Sequence, residues 1–346
     1  MKTLVVAPNW IGDALMAQPL LTLLKRADQA QHIVCLAPRW VAPVLDAMPE
    51  VDHVIATDLA HGALQWKSRR AFAHAVASQS FDRAFILPNS FKSALIPWLA
   101  GIPQRIGYRG EARYVLINRR AAGPVLTLSM SERYAALAGM VGVDVVGPLP
   151  LPRLVVDADR VAQARIRFDL GEDTELIALC PGAEYGPAKR WPAGHFAALA
   201  TQVLAERPQA HVLLLGGNGD RDISAEIVAG IPSNRERLHD LCGSTDLAEA
   251  IALIAAAHSV VSNDSGLMHV AAALQRPQVA LFGSSDPRHT PPLSPKATTL
   301  WLHLDCSPCF ERTCPLGHLN CLVGIAPQQV FDSMQNTSPA PGVIDP

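Results

Sequence analysis

Short, continuous apolar runs recur along the chain, each bounded by turn residues and followed by Leu, Ala and Met at helical spacing. Runs at 2–7, 32–37, 51–56 and 83–87 predict four buried strands in the first half. The loop 8–13 leads into a predicted helix that ends at Arg26, and residues 90–100 predict another helix before Gly101. The alternation restarts further on, with strands at 175–180, 212–215, 259–262 and 278–282 and helices at 193–206, 247–257 and 266–274. Strands alternating with helices imply parallel sheets joined by right-handed crossovers. Between the two series lies Val-Asp-Val-Val-Gly-Pro-Leu-Pro-Leu-Pro-Arg-Leu at 143–154, whose prolines and glycine read as a linker. The pattern therefore predicts an α/β protein of two Rossmann-like, doubly wound domains, 1–150 and 151–333, followed by a loose tail at 334–346. Open parallel sheets bind ligands at the carboxyl ends of their strands, so a cleft between the two domains is the expected place for chemistry.

Size and composition agree with this plan. A chain of 346 residues suits two cores, and 49% hydrophobic against 17% charged residues supplies the apolar material that buried parallel strands need. The net charge of −2 hides an asymmetry. Residues 1–150 carry 15 Lys and Arg against 10 Asp and Glu, whereas the remainder carries 14 against 21. A basic first half and an acidic second half predict an anionic partner for the first half, with no nucleic-acid module in sight. The apolar start ends at Pro8 and Asn9 without a cleavage site, and the longest apolar stretch, 248–261, is interrupted by His258 and too short to span a bilayer. The expected location is the cytoplasm. Cys35, Cys180 and Cys242 sit in or beside apolar runs and read as small buried thiols.

Three loops carry candidate chemistry. The first, Pro8-Asn9-Trp10-Ile11-Gly12-Asp13, joins a strand to a helix, with Asp13 placed as an N-cap. A carboxylate there could also take a proton from an acceptor hydroxyl. No Gly-x-Gly-x-x-Gly is present, which argues against an ordinary dinucleotide fingerprint. The second, Cys180-Pro181-Gly182-Ala183-Glu184-Tyr185-Gly186-Pro187-Ala188-Lys189-Arg190-Trp191-Pro192, follows a strand and offers backbone N–H groups together with Lys189 and Arg190 to a diphosphate. The third, Ser262-Asn263-Asp264-Ser265-Gly266-Leu267-Met268-His269, runs from a strand straight into a helix. Ser265 and Gly266 would present first-turn N–H groups to phosphate oxygens, and Asp264 would have to address sugar hydroxyls or hold the loop. His269 follows Ser265 by one turn and shares its face. The plain alternative for each loop is a helix cap with solvated charges.

Two looser groups remain. Lys67, Arg69, Arg70, Lys92, Arg105, Arg109, Arg113, Arg119 and Arg120, interleaved with Trp66, Tyr108 and Tyr114, could bind phosphate and carboxylate groups or an anionic membrane surface. Cys306, Cys309, Cys314 and Cys321, with His318 among them, raise a structural zinc site, with partial disulfides or packed thiols as alternatives.

The strings Asn-Trp-Ile-Gly-Asp at 9–13, Leu-Pro-Asn-Ser-Phe-Lys-Ser-Ala at 87–94 and Gly-Ile-Pro-Gln-Arg-Ile-Gly-Tyr-Arg-Gly at 101–110 resemble the lipopolysaccharide heptosyltransferase II family, within glycosyltransferase family 9. So do Pro-Gly-Ala-Glu-Tyr-Gly-Pro-Ala-Lys-Arg-Trp-Pro at 181–192 and Asn-Asp-Ser-Gly-Leu-Met-His-Val-Ala-Ala-Ala at 263–273. The resemblance implies a GT-B fold and transfer of L-glycero-D-manno-heptose from ADP-heptose to the first heptose of the lipopolysaccharide inner core, with inversion. It implies Asp13 as catalytic base, Lys189 as a catalytic residue on the donor, and a donor site drawn from Glu184, Lys189, Arg190, Asp264, Ser265, Gly266 and His269, with Asp220 toward the ribose. The acceptor, a lipid-linked inner-core oligosaccharide, would meet Asn9, Lys67, Arg69, Arg70, Lys92, Arg109 and Arg120, at the cytoplasmic face of the inner membrane. No cofactor is expected to be required for catalysis. Rival readings are a nucleotide-sugar epimerase of the same form and a non-catalytic nucleotide-sugar binding protein.

Overall fold

The computed structural model describes residues 1–59, 63–123 and 127–337, and the chain divides into two compact units, Met1–Leu154 and Val155–Pro346. The first holds a parallel sheet of β1 (Lys2–Val6), β2 (His32–Pro38), β3 (His53–Thr57), β4 (Arg83–Ile86), β5 (Gln104–Tyr108) and β6 (Arg119–Ala121), in the order β3-β2-β1-β4-β5-β6. The second holds β7 (Glu175–Cys180), β8 (Ala210–Leu214), β9 (Leu238–Asp240), β10 (Ser259–Asn263), β11 (Gln278–Phe282) and β12 (Ala297–Trp301), ordered β12-β11-β10-β7-β8-β9. Counted within its own unit, each sheet has the Rossmann order 3-2-1-4-5-6. The order reverses between β1 and β4 in the first unit and between β7 and β10 in the second, so crossovers leave those strand pairs in opposite directions and open a crevice at their carboxyl ends.

The central strands are apolar on both faces because helices cover both. Leu4 and Val5 are buried, as are all of Leu176 to Cys180 and Val260 to Asn263. The core of the second unit gathers Leu179, Val212, Val261 and Leu281 from the sheet with Phe196, Leu199 and Val203 from the helix Ala193–Glu206. Cys35 in the first unit and Cys180 and Cys242 in the second are buried.

Several sequence expectations need correction. The helix expected after β1 is two, Ile11–Met16 and Gln18–Ala27, because Pro19 in the first turn of the second cannot donate into a continuous ladder. Residues 90–100 form a 3-10 turn, Phe91–Ala94, before the helix Leu95–Leu99. The expected tail begins too early at 334. The helix Pro327–Thr337 runs through that point, and Met334 is fully buried in the core with Val330 and Phe331. Residues 338–346 of that tail lie outside the described residues.

Candidate active site

In the second unit, β7 and β10 are hydrogen-bonded neighbours, with Leu179 opposite Val261 and Cys180 opposite Ser262. The second and third sequence loops therefore emerge side by side. Asn263, fully buried, ties them together: its amide donates to the Pro181 carbonyl at 2.7 Å and accepts from the Trp191 backbone N–H at 3.0 Å. Trp191 is itself fully buried and donates its indole N–H to the Ile325 carbonyl at 2.9 Å. Between these anchors the chain turns through Pro187–Lys189.

That turn aims Lys189 at Asp264. Nζ of Lys189 lies 2.5 Å from Oδ2 of Asp264, and the same oxygen accepts the Ser285 hydroxyl at 2.5 Å. Ser285 comes from the loop after β11, so three adjacent strands of the sheet converge on one carboxylate. Asp264 is 5% exposed and Lys189 18%, which leaves the ammonium reachable and the carboxylate covered. Through these two contacts the carboxylate ties its loop to the Lys189 and Ser285 loops. Ser285 escaped the sequence reading; its position one strand away from the Asn-Asp-Ser-Gly loop would have found it once the strand order was known.

The helix Gly266–Ala273 begins directly after this loop, with Ser265 at the N-cap making no side-chain cap bond, so the hydroxyl leaves the first-turn N–H groups uncapped. His269 is buried, and that burial pulls its pKa down to about 4, with Asp264 raising it and Lys189 lowering it further. It is neutral at physiological pH. Arg190 pairs with Asp220 at 3.6 Å, and Asp220 also accepts the Gly217 N–H at 3.0 Å. The Asp220 carboxylate lies so close to Gly182 that any side chain there would collide with it. Asp220 is therefore a partner of Arg190 and of the loop itself. Glu184 is exposed.

In the first unit Asp13 stands in the first turn of the helix Ile11–Met16, where a carboxylate is favoured by the helix dipole. The N-cap is Trp10, not Asp13 as expected, because the helix starts three residues earlier. Asp13 is partly exposed and close enough to the buried Tyr134 phenol to help raise its pKa, after burial itself. A solvent-open cavity lies at the carboxyl ends of β1, β2 and β3, lined among others by Asn9, Trp40, Arg69, Ser90 and Lys92. Of the expected acceptor residues it gathers Asn9, Arg69 and Lys92. Arg69 is largely buried and donates to the carbonyls of Leu64 and Lys92, which fixes the wall. Lys67, Arg70, Arg109 and Arg120 are exposed and do not line the cavity. Arg105 and Arg113, also counted in the basic group, hold backbone carbonyls of Leu116, Ile102, Pro88 and Tyr108.

Cys306, Cys309, Cys314 and Cys321 line one small cavity with His318. Among the described residues, however, no three His, Cys, Asp or Glu are grouped as a metal ion would need. The zinc expectation is not supported, and the cysteines are free thiols.

Two doubly wound units, with a cation and a helix N-terminus meeting at the switch point of the second, define an α/β protein of the two-Rossmann kind with a place for an anionic ligand. The chain belongs to glycosyltransferase family 9 (heptosyltransferase), whose profile matches residues 69–320. It is similar to lipopolysaccharide heptosyltransferase 2 of Salmonella typhimurium, at 43% identity over 99% of this chain and 100% of that one. Lipooligosaccharide heptosyltransferase 2 of Haemophilus ducreyi is 41% identical over 87% of this chain and 89% of its own length. Among solved structures, Escherichia coli ADP-heptose lps heptosyltransferase II superposes with a TM-score of 0.87 at 40% identity, covering 97% of this chain and 98% of that one. The fold is GT-B-like, as the resemblance implied.

Proposed function

We infer that this chain is a heptosyltransferase of lipopolysaccharide inner-core synthesis, moving L-glycero-D-manno-heptose from ADP-heptose onto the first heptose of the core. Family membership and the similar heptosyltransferases 2 support this reading over an epimerase or a binding protein. The observation that carries it in the molecule is the Lys189–Asp264–Ser285 cluster at the carboxyl ends of β7, β10 and β11.

The proposed reaction is a single displacement. Asp13 takes the proton of the acceptor hydroxyl, the oxygen attacks the anomeric carbon, and the bond to ADP breaks on the opposite side, inverting the centre. Lys189 and the first-turn N–H groups at Ser265 and Gly266 receive the charge that develops on the diphosphate. Arg190 lies on the same loop and supports them, while Asp220 keeps Arg190 in place. Fixed donors of this kind cover the leaving group, so no metal ion is given an obligatory role; loss of activity on chelation with recovery on adding Mg²⁺ would overturn that. Neutral His269 is buried within reach of the charges of Asp264 and Lys189, and Glu184 is assigned to the donor sugar from its place on the same loop.

The acceptor is assigned to the first unit, around the cavity of Asn9, Arg69 and Lys92, with Lys67, Arg70, Arg109 and Arg120 meeting the acidic groups of a lipid-linked oligosaccharide. No helix among the described residues is long and apolar enough to cross a membrane. The first unit does expose Trp66, Phe91, Trp98 and Tyr114. Exposed aromatic and basic side chains together suit a peripheral contact with an anionic bilayer surface, and the cytoplasmic face of the inner membrane is the proposed place of work. The deciding experiment is mass spectrometry of heptose-terminated inner core incubated with ADP-heptose and the purified protein. A gain of one heptose is expected. No gain, or alteration of the donor sugar without acceptor, would overturn the reading.

A further inference from the structure

The four-cysteine segment has no part in the proposed reaction, yet it is built against the loop that does. The Ser307 hydroxyl donates to the Gly283 carbonyl at 2.6 Å, and the Phe310 N–H donates to the Ser284 carbonyl at 2.7 Å. Both fasten the segment to the strand-end loop that supplies Ser285. From there it reaches the Lys189 loop. The Ala188 N–H donates to the Arg312 carbonyl at 3.0 Å, and the Tyr185 hydroxyl donates to the Phe310 carbonyl at 2.6 Å. Gly186, at φ +155°, lies so close to the Arg312 carbonyl that a side chain there would drive the two chains apart. Ala188, the neighbour of Lys189, shares the wall of the small cavity lined by the four cysteines.

The contacts end on one aromatic ring. Nζ of Lys189 lies 5.1 Å from the centre of the Tyr185 ring, and the Arg312 guanidinium lies 5.3 Å from the same centre. A cation at that distance from a ring face is attracted by its quadrupole. Lys189 is thus held by two groups, Asp264 through charge and Tyr185 through its ring. The ring in turn is fixed by its hydroxyl to the backbone of the cysteine segment. Without that anchor Lys189 would keep only its contact with Asp264, and the freedom regained by its four-carbon side chain would weigh against each binding event.

We propose that the four-cysteine segment serves to position Lys189 for the donor, with Tyr185 as the positioning residue through which it acts. This rests on the reading that Lys189 meets the donor diphosphate. The experiment is a double-mutant cycle on the full-length protein, with ADP as the probe and calorimetric Kd as the readout. Lys189→Ala is expected to weaken ADP binding at least tenfold. Tyr185→Leu is expected to weaken it about three- to tenfold in the parent and less than twofold in the Lys189→Ala background, because the residue it positions is gone. Tyr185→Phe, which keeps the ring and loses the anchor, is expected to fall between parent and Tyr185→Leu, and it serves for the cycle should Tyr185→Leu fold poorly. Equal weakening by the Tyr185 change in both backgrounds would mean that the ring acts on ADP or on the fold directly, and would overturn the proposal. Unchanged ADP affinity in Lys189→Ala alone would instead remove the donor reading and the proposal with it.

Discussion

Nζ of Lys189 lies 2.5 Å from Oδ2 of Asp264, and the two residues come from loops that follow neighbouring strands, β7 and β10. The pair is a consequence of the strand order. Only where crossovers diverge can two strand-end loops face each other without a helix between them. Asp264→Asn keeps the shape and removes the charge, leaving an ammonium that is mostly buried without its counter-ion. Breaking a fully buried pair costs about 3–5 kcal/mol, and the partial exposure of Lys189 lowers the expectation to about 1–3 kcal/mol. Urea unfolding of the parent and Asp264→Asn proteins checks this, and coincident midpoints would contradict it.

Asp13 sits in a helical first turn, where the dipole favours its ionised form, the form a base must have. Asp13→Asn is expected to lower kcat by about 10²–10⁴-fold. Donor affinity should stay near the parent value, because the donor groups belong to the other unit. Turnover within a factor of three of the parent would withdraw Asp13 as the base.

The sequence revealed the strands built around an unbroken apolar run and hid those without one. Leu176 to Cys180 and Gln278 to Phe282 stand out as runs, and their predicted bounds match the structure. Gln104–Tyr108, Arg119–Ala121, Leu238–Asp240 and Ala297–Trp301 went unseen, because β6, β9 and β12 lie at sheet edges and β5 beside one, with polar residues breaking their runs. The loops that carry Lys189 and Asp264 were legible from glycines, charges and their place after strands. Their contact was not, since it depends on which strands are neighbours. Ser285 and Tyr185 act through long-range partners and leave no local signature. Arg69 and Arg113 look in sequence like any exposed cation, and only burial shows that they hold carbonyls.

His269 gives the protein a specific acid sensitivity. Its folded pKa of about 4 lies below that of an unfolded histidine, chiefly because it is buried. As pH falls below about 6.5 the unfolded chain takes up a proton that the folded chain refuses, so stability is lost until pH nears 4. Between pH 7 and pH 5 this one group is expected to remove about 2 kcal/mol. His269→Gln lacks the titration, so its unfolding free energy should fall less over that interval by about the same amount. Parallel pH profiles for the two proteins would refute this assignment.

The seven thiols should differ sharply in reactivity. Backbone N–H groups of Leu319, and then Leu316, Gly317 and His318, point at the Cys314 sulfur and hold its pKa below the ordinary thiol range, while the side chain stays partly exposed. Burial, then the charges of Asp46 and Asp52, pushes Cys35 up to about 12; burial, then Asp240, raises Cys242 to about 12. Burial also raises Cys180 and, beside its neighbouring thiols, Cys321. Since the thiolate is the attacking species, brief iodoacetamide treatment at pH 7.5 should label Cys314 ahead of Cys321 and leave Cys35, Cys180 and Cys242 unmodified in the folded protein. The labelling rate at Cys314 should rise with pH and level off below the pH at which an unperturbed thiol would. Peptide mass spectrometry reads both effects. Labelling of Cys35 or Cys180 at the rate of Cys314 would show that the N–H cradle and the burial do not control these sulfurs.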